Sequence, residues 1–367
     1  MFLYTMCQRE MDKKSIDALK GIGILGILLV HYGLRTSNEF ILEIVSNGAR
    51  GVQLMYIINA FLIFHSLSKI ELTKNNIISW WKGKFTRLIP LYYFFTIIYL
   101  LVFGIGPSYY LGTLPKISWV NIIANLLFLH GFYPYYINAI NINWFMADLA
   151  IFYFVAPFLF KIINSLEKSV VSLIIAVPLI YIMNGVLSRI HILDADNIWL
   201  DYINIMGFFA EFPIMLLGIF CYYFYISLYK TGRIKHPCLM GVSMFIFSIM
   251  FASSLLLKKD SIFVFNNIFS FGIVFALIFI GQLIHPIVLI KNTLFELIGR
   301  HSFGIYLSQL FVLKYINMFL GELREKRIID VIGYFLLVLV SYIIAIMSEN
   351  IVEKNVFKLV KREGRKC

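Results

Sequence analysis

Residues Ser15 to Tyr32 read Ser-Ile-Asp-Ala-Leu-Lys-Gly-Ile-Gly-Ile-Leu-Gly-Ile-Leu-Leu-Val-His-Tyr. Every residue from Gly21 to Val30 is glycine or aliphatic, with Lys20 before the run and His31 after it. On a helix the steps from Lys20 to His31 make three turns plus about 20° and about 16 Å of rise, so the two share one face. Asp17 sits one turn before Lys20, at the spacing of a helical ion pair. The segment is therefore expected to be a membrane helix with a polar stripe. Ionisable groups inside a span are costly and normally turn toward protein or a wet cavity, which makes Asp17, Lys20 and His31 site candidates.

Composition decides the solvent. Of 367 residues, 60% are hydrophobic and 14% charged, and the mean hydropathy is +0.83. Repeated apolar runs of about twenty residues, each able to cross a bilayer core of roughly 30 Å, point to a polytopic membrane protein. Backbone hydrogen bonds must close within each span, which helices achieve; the alternating short segments of a barrel are absent. The expected fold is all-α, a polytopic membrane helix bundle of about ten transmembrane helices. The spans are placed near 16–34, 50–68, 88–106, 143–160, 169–187, 205–228, 237–257, 262–284, 294–313 and 329–351.

One further segment, Ile117 to Phe132, is short and interrupted by Asn121, Asn125 and His130. Charge arbitrates. With ten spans and a cytoplasmic N-terminus, basic residues outside the spans fall two to one on the inner side; if 117–132 also crossed, they would divide evenly. The positive-inside rule favours ten crossings, both termini cytoplasmic, and an interfacial or re-entrant 117–132. This divides the chain into a cytoplasmic segment 1–15, a membrane domain 16–351 and a basic cytoplasmic tail 352–367. The first apolar run shows no cleavage pattern and is expected to stay as a span. A multi-pass protein of the cell (inner or plasma) membrane follows.

The net charge of +12 resides in short connections between spans, where topology explains it, so no nucleic-acid partner is expected. Cys7, Cys221, Cys238 and Cys367 have neither metal nor disulfide spacing, and no metal is expected. In the ten-span arrangement several outer segments are long and polar: Arg35 to Ala49, Gly106 to Ile142 and Ser188 to Asn204, the last containing Asp194, Asp196 and Asp201. Tyr133-Pro-Tyr-Tyr-Ile-Asn138 and Asn141-Ile-Asn-Trp144 offer stacking and hydrogen bonding to sugars, or an aromatic interface belt. Asp148 and Glu211 lie in the outer turns of their spans. Each is an intramembrane acid that suits a polar site or a packing bond to tyrosine. Glu349 lies at the inner end of the last span, where snorkelling to Lys354 accounts for it.

These residues carry a resemblance. Ile16 to His31 resembles the first helix of the acyltransferase-3 family of integral membrane O-acyltransferases, an arginine, ten residues and a histidine, with Lys20 at the arginine position. Gly51-Val-Gln-Leu-Met-Tyr-Ile-Ile-Asn-Ala-Phe-Leu-Ile63 resembles its second span, with Asn59-Ala60 for serine-glycine. Lys84-Phe-Thr-Arg87-Leu-Ile-Pro90-Leu-Tyr92 resembles the paired-arginine motif entering the third. Trp144-Phe145 with Phe152-Tyr153 and Pro157, Phe212-Pro213 with Leu216-Leu217-Gly218, Ile298 to Leu307, and Glu349 to Lys354 continue the match in order. The departures are lysine at 20 and 84, which lacks the bidentate fork of arginine, Gln309 where a histidine is frequent, and Asn355 for proline.

The resemblance implies transfer of an acyl group, usually acetyl, from cytoplasmic acetyl-CoA (acyl-CoA) to a hydroxyl of an extracytoplasmic glycan or glycolipid. It implies no permanently bound cofactor. His31 would act as general base or acyl relay, since imidazole titrates near neutrality. Asp17, Lys20, Lys84 and Arg87 would meet the donor, arginine and lysine being suited to phosphates. Trp144, Asp148 and Glu211 would meet the acceptor. Membrane lipid is a partner, and a separate extracytoplasmic protein that completes transfer is left open. The alternative is a multi-pass transporter or flippase of a small polar or glycolipid substrate, using the same intramembrane ions. The paired interrupted helices that mark such carriers are not seen in the sequence.

Overall fold

The computed structural model describes residues 12–103, 119–132, 144–187, 189, 207–232, 234–257 and 267–353. Among them the regular structure is helical and no strand occurs. The segment 1–11, Tyr133–Asn138, Asn141, Asp194, Asp196, Asp201, Lys354 and the tail 354–367 lie outside the described residues, as do Cys7 and Cys367.

The helices are α1 (Lys13–Tyr32), α2 (Glu39–Asn47), α3 (Gly51–Leu67), α4 (Lys74–Phe103), α5 (Trp119–Leu126), α6 (Trp144–Ile162), α7 (Leu166–Leu187), α8 (Phe208–Thr231), α9 (Pro237–Leu256), α10 (Asn267–Ile284), α11 (Thr293–Arg300), α12 (Ser302–Leu320) and α13 (Arg327–Ser348). Eight of the helices among the described residues, α1, α4, α6, α7, α8, α9, α12 and α13, are long and apolar enough to cross a bilayer. The two remaining expected spans are shorter: α3 has 17 residues, and in α10 the apolar stretch is Ile268–Ile284. Large apolar side chains stand exposed along these helices, among them Leu101, Ile174, Met250 and Phe335. Such surfaces suit lipid, where a helix has already closed its backbone hydrogen bonds. The chain is a multi-pass membrane protein.

The described residues belong to two units, one comprising the chain up to Lys69 with Leu217–Met347, the other Ile70–Leu216 with the residues from Ser348 on. In the first, α1 is the hub, with α2, α3, α10, α11 and α12 packed against it. Its glycines explain the closeness. Gly23 faces Gly51 and Gly26 faces Gly48, and a Cβ on any of these would press on the partner's backbone. Small residues at such contacts let helices in lipid pack at backbone distance. At the far end of α1, Gly33 takes a left-handed φ of 64° and returns its N–H to the Leu29 carbonyl at 3.1 Å, which closes the helix. The Tyr334 hydroxyl on α13 donates to the Leu25 carbonyl at 3.0 Å.

The expected span 294–313 is corrected here. Asn292 caps α11 by accepting from Phe295 N–H at 3.0 Å, α11 stops at Arg300, and α12 starts afresh at Ser302. The Arg300-His301 pair is the interruption; the apolar run able to span begins only after it.

In the second unit, α4 runs unbroken for 30 residues through Pro90, so Lys84 and Arg87, expected just before a span at 88–106, are inside the helix. Thr73 starts the turn by accepting from Asn76 N–H at 3.3 Å. Trp81 Nε1 donates to the Tyr153 carbonyl of α6 at 2.8 Å. The eight-residue α5 is about 12 Å long, too short to cross a bilayer. The Tyr92 and Tyr93 hydroxyls of α4 donate to its final carbonyls, Asn125 at 3.4 Å and Leu126 at 2.7 Å, which the helix end leaves without intrahelical partners.

Candidate active site

His31 is the penultimate residue of α1, and its position follows from two sets of contacts. Its Nδ1 lies 3.1 Å from Oε1 of Gln309 on α12. Its neighbour Tyr32 is held by a guanidinium. Arg324 donates from Nε to Asp330 Oδ1 at 2.7 Å and from Nη1 to Asn317 Oδ1 at 2.6 Å. Its Nη2 donates to the Tyr32 and Gly33 carbonyls at 2.9 and 3.2 Å. The Tyr32 hydroxyl donates to the Asp330 carbonyl at 2.7 Å, and Arg35 N–H to Asp330 Oδ2 at 2.7 Å. The guanidinium stacks over the Tyr32 ring, 4.0 Å from its centre. The Arg324–Asp330 pair is buried, with side chains 8% and 1% exposed. A cation donating to the last carbonyls of a helix also opposes the negative end of its dipole.

The Lys13 end of α1 is built differently. Lys20 Nζ stands 3.6 Å from Asp17 Oδ1, the pair expected from the spacing, and Arg300 Nε stands 3.9 Å from Asp17 Oδ2. Arg300 also pairs with Glu296, one turn earlier in α11. Lys20 is 22% and Arg300 50% exposed. What brings them together is a backbone crossing: Gly299 fits against the Asp17 carbonyl and Gly21 against the Phe295 carbonyl. A turn before, Asp12 accepts from Lys291 Nζ at 2.5 Å and from the Ser15 hydroxyl at 2.9 Å. Burial acts to raise the Asp12 carboxyl, but the hydrogen bonds from Lys291 and Ser15 outweigh it and hold the group below its ordinary value.

The other expected site residues belong to the second unit. Lys84 lies over the rings of Trp80 and Tyr153, 5.2 and 5.9 Å from their centres, and Arg87 is exposed one turn on. Trp144 begins α6; Asp148, in the same helix, is fully buried, as is Glu211 in the first turn of α8. Asp17, Lys20 and His31 thus share one helix, while Lys84, Arg87, Trp144, Asp148 and Glu211 are placed within the other unit. Among the described residues no group of three or more His, Cys, Asp or Glu side chains is set to hold a metal ion.

A protein-family model described as an acyltransferase domain, that of the acyltransferase-3 family, matches residues 13–347. The chain belongs to that family. Searches of curated proteins and of solved structures gave no match.

For a membrane acyltransferase this arrangement supplies an imidazole bonded to Gln309 at a helix end that Arg324 fastens and, about 16 Å away along the same helix, a group of part-exposed cations. Four participants, Arg300, Gln309, Arg324 and Asp330, have no role assigned by the sequence. Arg300 sat inside an expected span, although the Glu296/Arg300 spacing marks a helical ion pair. Gln309 was noted only as a departure from the family pattern. Arg324 falls in the connection before the last expected span and Asp330 in that span's first turn, and nothing local ties them to Tyr32, almost three hundred residues earlier.

Proposed function

We propose that this acyltransferase moves an acyl group, acetyl as the expected cargo, from cytoplasmic acyl-CoA to a hydroxyl of an extracytoplasmic glycan or glycolipid at the cell membrane. The observation that supports this reading most is the unbroken α1, with Lys20 and Asp17 in contact near one end and His31 near the other. Its rise between them, about 16 Å, is comparable with the reach of coenzyme A from its phosphates to its sulfur. The donor's charged end would stay near Lys20 and Arg300, whose side chains suit phosphates.

In the simplest chemistry His31 takes the proton of the acceptor hydroxyl, the hydroxyl oxygen attacks the thioester carbonyl, and the carbon–sulfur bond breaks. The thiolate then receives the proton from the imidazolium, leaving an ester and a free thiol. In the relay version the imidazole is acylated first and the hydroxyl attacks second. His31→Ala decides whether the residue is needed. Mass spectrometry of surface glycans should show the acyl mass lost while the protein remains in the membrane. Undiminished acylation would remove His31 from the chemistry, and loss of solute uptake instead would favour transport.

A further inference from the structure

Gln309 is completely buried on α12. Its Nε2 lies 3.1 Å from the Tyr306 carbonyl oxygen, and its Oε1 lies 3.1 Å from His31 Nδ1. Which end of an amide is oxygen is decided by its partners. A backbone carbonyl only accepts, so the NH2 end must face Tyr306; the reversed amide would set two carbonyl oxygens against each other in a buried site. The oxygen left facing His31 also only accepts. The hydrogen between the two side chains therefore belongs to Nδ1.

We propose that Gln309 is a positioning residue that holds His31 as the Nδ1–H tautomer and so leaves the Nε2 lone pair as the reactive atom. An imidazole has one such lone pair when neutral, and the partner of the other nitrogen selects where it is. The amide does this without charge. A carboxylate in its place would favour the imidazolium, which has no lone pair to offer. The Arg324–Tyr32 contacts fix the backbone one residue on, so the ring is oriented through both its side chain and its main chain. The acceptor hydroxyl or the acyl carbon must then approach from the Nε2 side. What Nε2 does rests on the proposed acyl-transfer role of His31, whereas the tautomer does not.

The test is solid-state NMR of [15N]histidine-labelled protein in lipid bilayers, with the His31 signals assigned by their loss in His31→Asn. The wild type should carry its hydrogen on Nδ1. Gln309→Glu, which keeps an acceptor, should retain the hydrogen there. Gln309→Met, of similar length but without an acceptor, should populate the Nε2–H form. It should also lower kcat about 100-fold, within the range that acid–base groups supply, with the KM for acetyl-CoA unchanged. A wild-type hydrogen on Nε2, or a Gln309→Met protein with the wild-type tautomer and kcat, would overturn the proposal. Should His31→Ala leave acylation intact, the acyl-transfer role fails while the spectra still report the tautomer.

Discussion

The two ends of α1 both gather charges, and they use them in opposite ways. At the Tyr32 end each terminal nitrogen of the Arg324 guanidinium, and Nε as well, already donates to a carboxylate, an amide or a carbonyl, in a place water scarcely reaches. At the Lys13 end Lys20 and Arg300 share the Asp17 carboxylate at 3.6 and 3.9 Å, Arg300 also pairs with Glu296, and the two cations are 22% and 50% exposed. The first set holds a helix end in place. The second leaves its cations part-exposed, as the proposed binding of an anionic donor requires. Counting cations does not locate a ligand site; what distinguishes the two ends is how much of each cation is left exposed.

This contrast breaks most easily at the buried end. Asp330→Ala leaves a desolvated guanidinium without its carboxylate, and stability should fall by about 3–5 kcal/mol. Thermal unfolding in detergent measures it, and a loss no larger than that of an exposed pair would mean that the network is not structural. Next is the crossing that builds the open end. Gly299→Val forces a side chain against the Asp17 carbonyl and should cost about 1–3 kcal/mol, while parting Arg300 from Asp17. A variant as stable as the wild type would show that α11 and α1 do not need backbone contact. Lys20→Ala and Arg300→Ala should each change stability by less than about 1 kcal/mol, yet raise the KM for acetyl-CoA. Unchanged donor kinetics would make the open end no different in role from the buried one.

The smallest effect is at Asp12. A carboxyl held below its ordinary value contributes stability that is fully present above the unfolded-state pKa, about 3.9, and is lost as pH falls through the folded value. The melting temperature of the wild type should therefore exceed that of Asp12→Asn at pH 7, by an amount reflecting about 0.5–1 kcal/mol. The difference should shrink as the pH drops below about 4. A gap that persists there would assign the effect to something other than the Lys291 and Ser15 bonds.

Much of the Lys13 end was legible in the sequence because its interactions are local. Asp17 and Lys20 are one turn apart, and an apolar run between two ionisable residues is enough to place a span and a polar stripe. The helical class and the membrane setting follow from the same periodicity. The break at Arg300-His301 was not legible, since hydropathy averages over one or two polar residues and the cap at Asn292 works through a single hydrogen bond. The length of α4 escaped for a related reason: the stretch Lys74–Arg87 before the expected span is too polar to stand out in hydropathy, yet it is helical without a break into the span. The His31–Gln309 and Arg324–Tyr32 contacts join residues that only the fold brings together, and no spacing rule reaches that far.

The central claim is that the open cations and the oriented imidazole of α1 serve opposite ends of one donor molecule. An acyl-CoA analogue with a photoreactive group on its acyl chain tests this directly, by mass-spectrometric mapping of the residue it labels. Label on His31 or its neighbours Val30, Tyr32 and Gln309, diminished in Lys20→Ala, is the predicted result. Label confined to the Lys20–Arg300 end, or found on no part of α1 or α12, would contradict it.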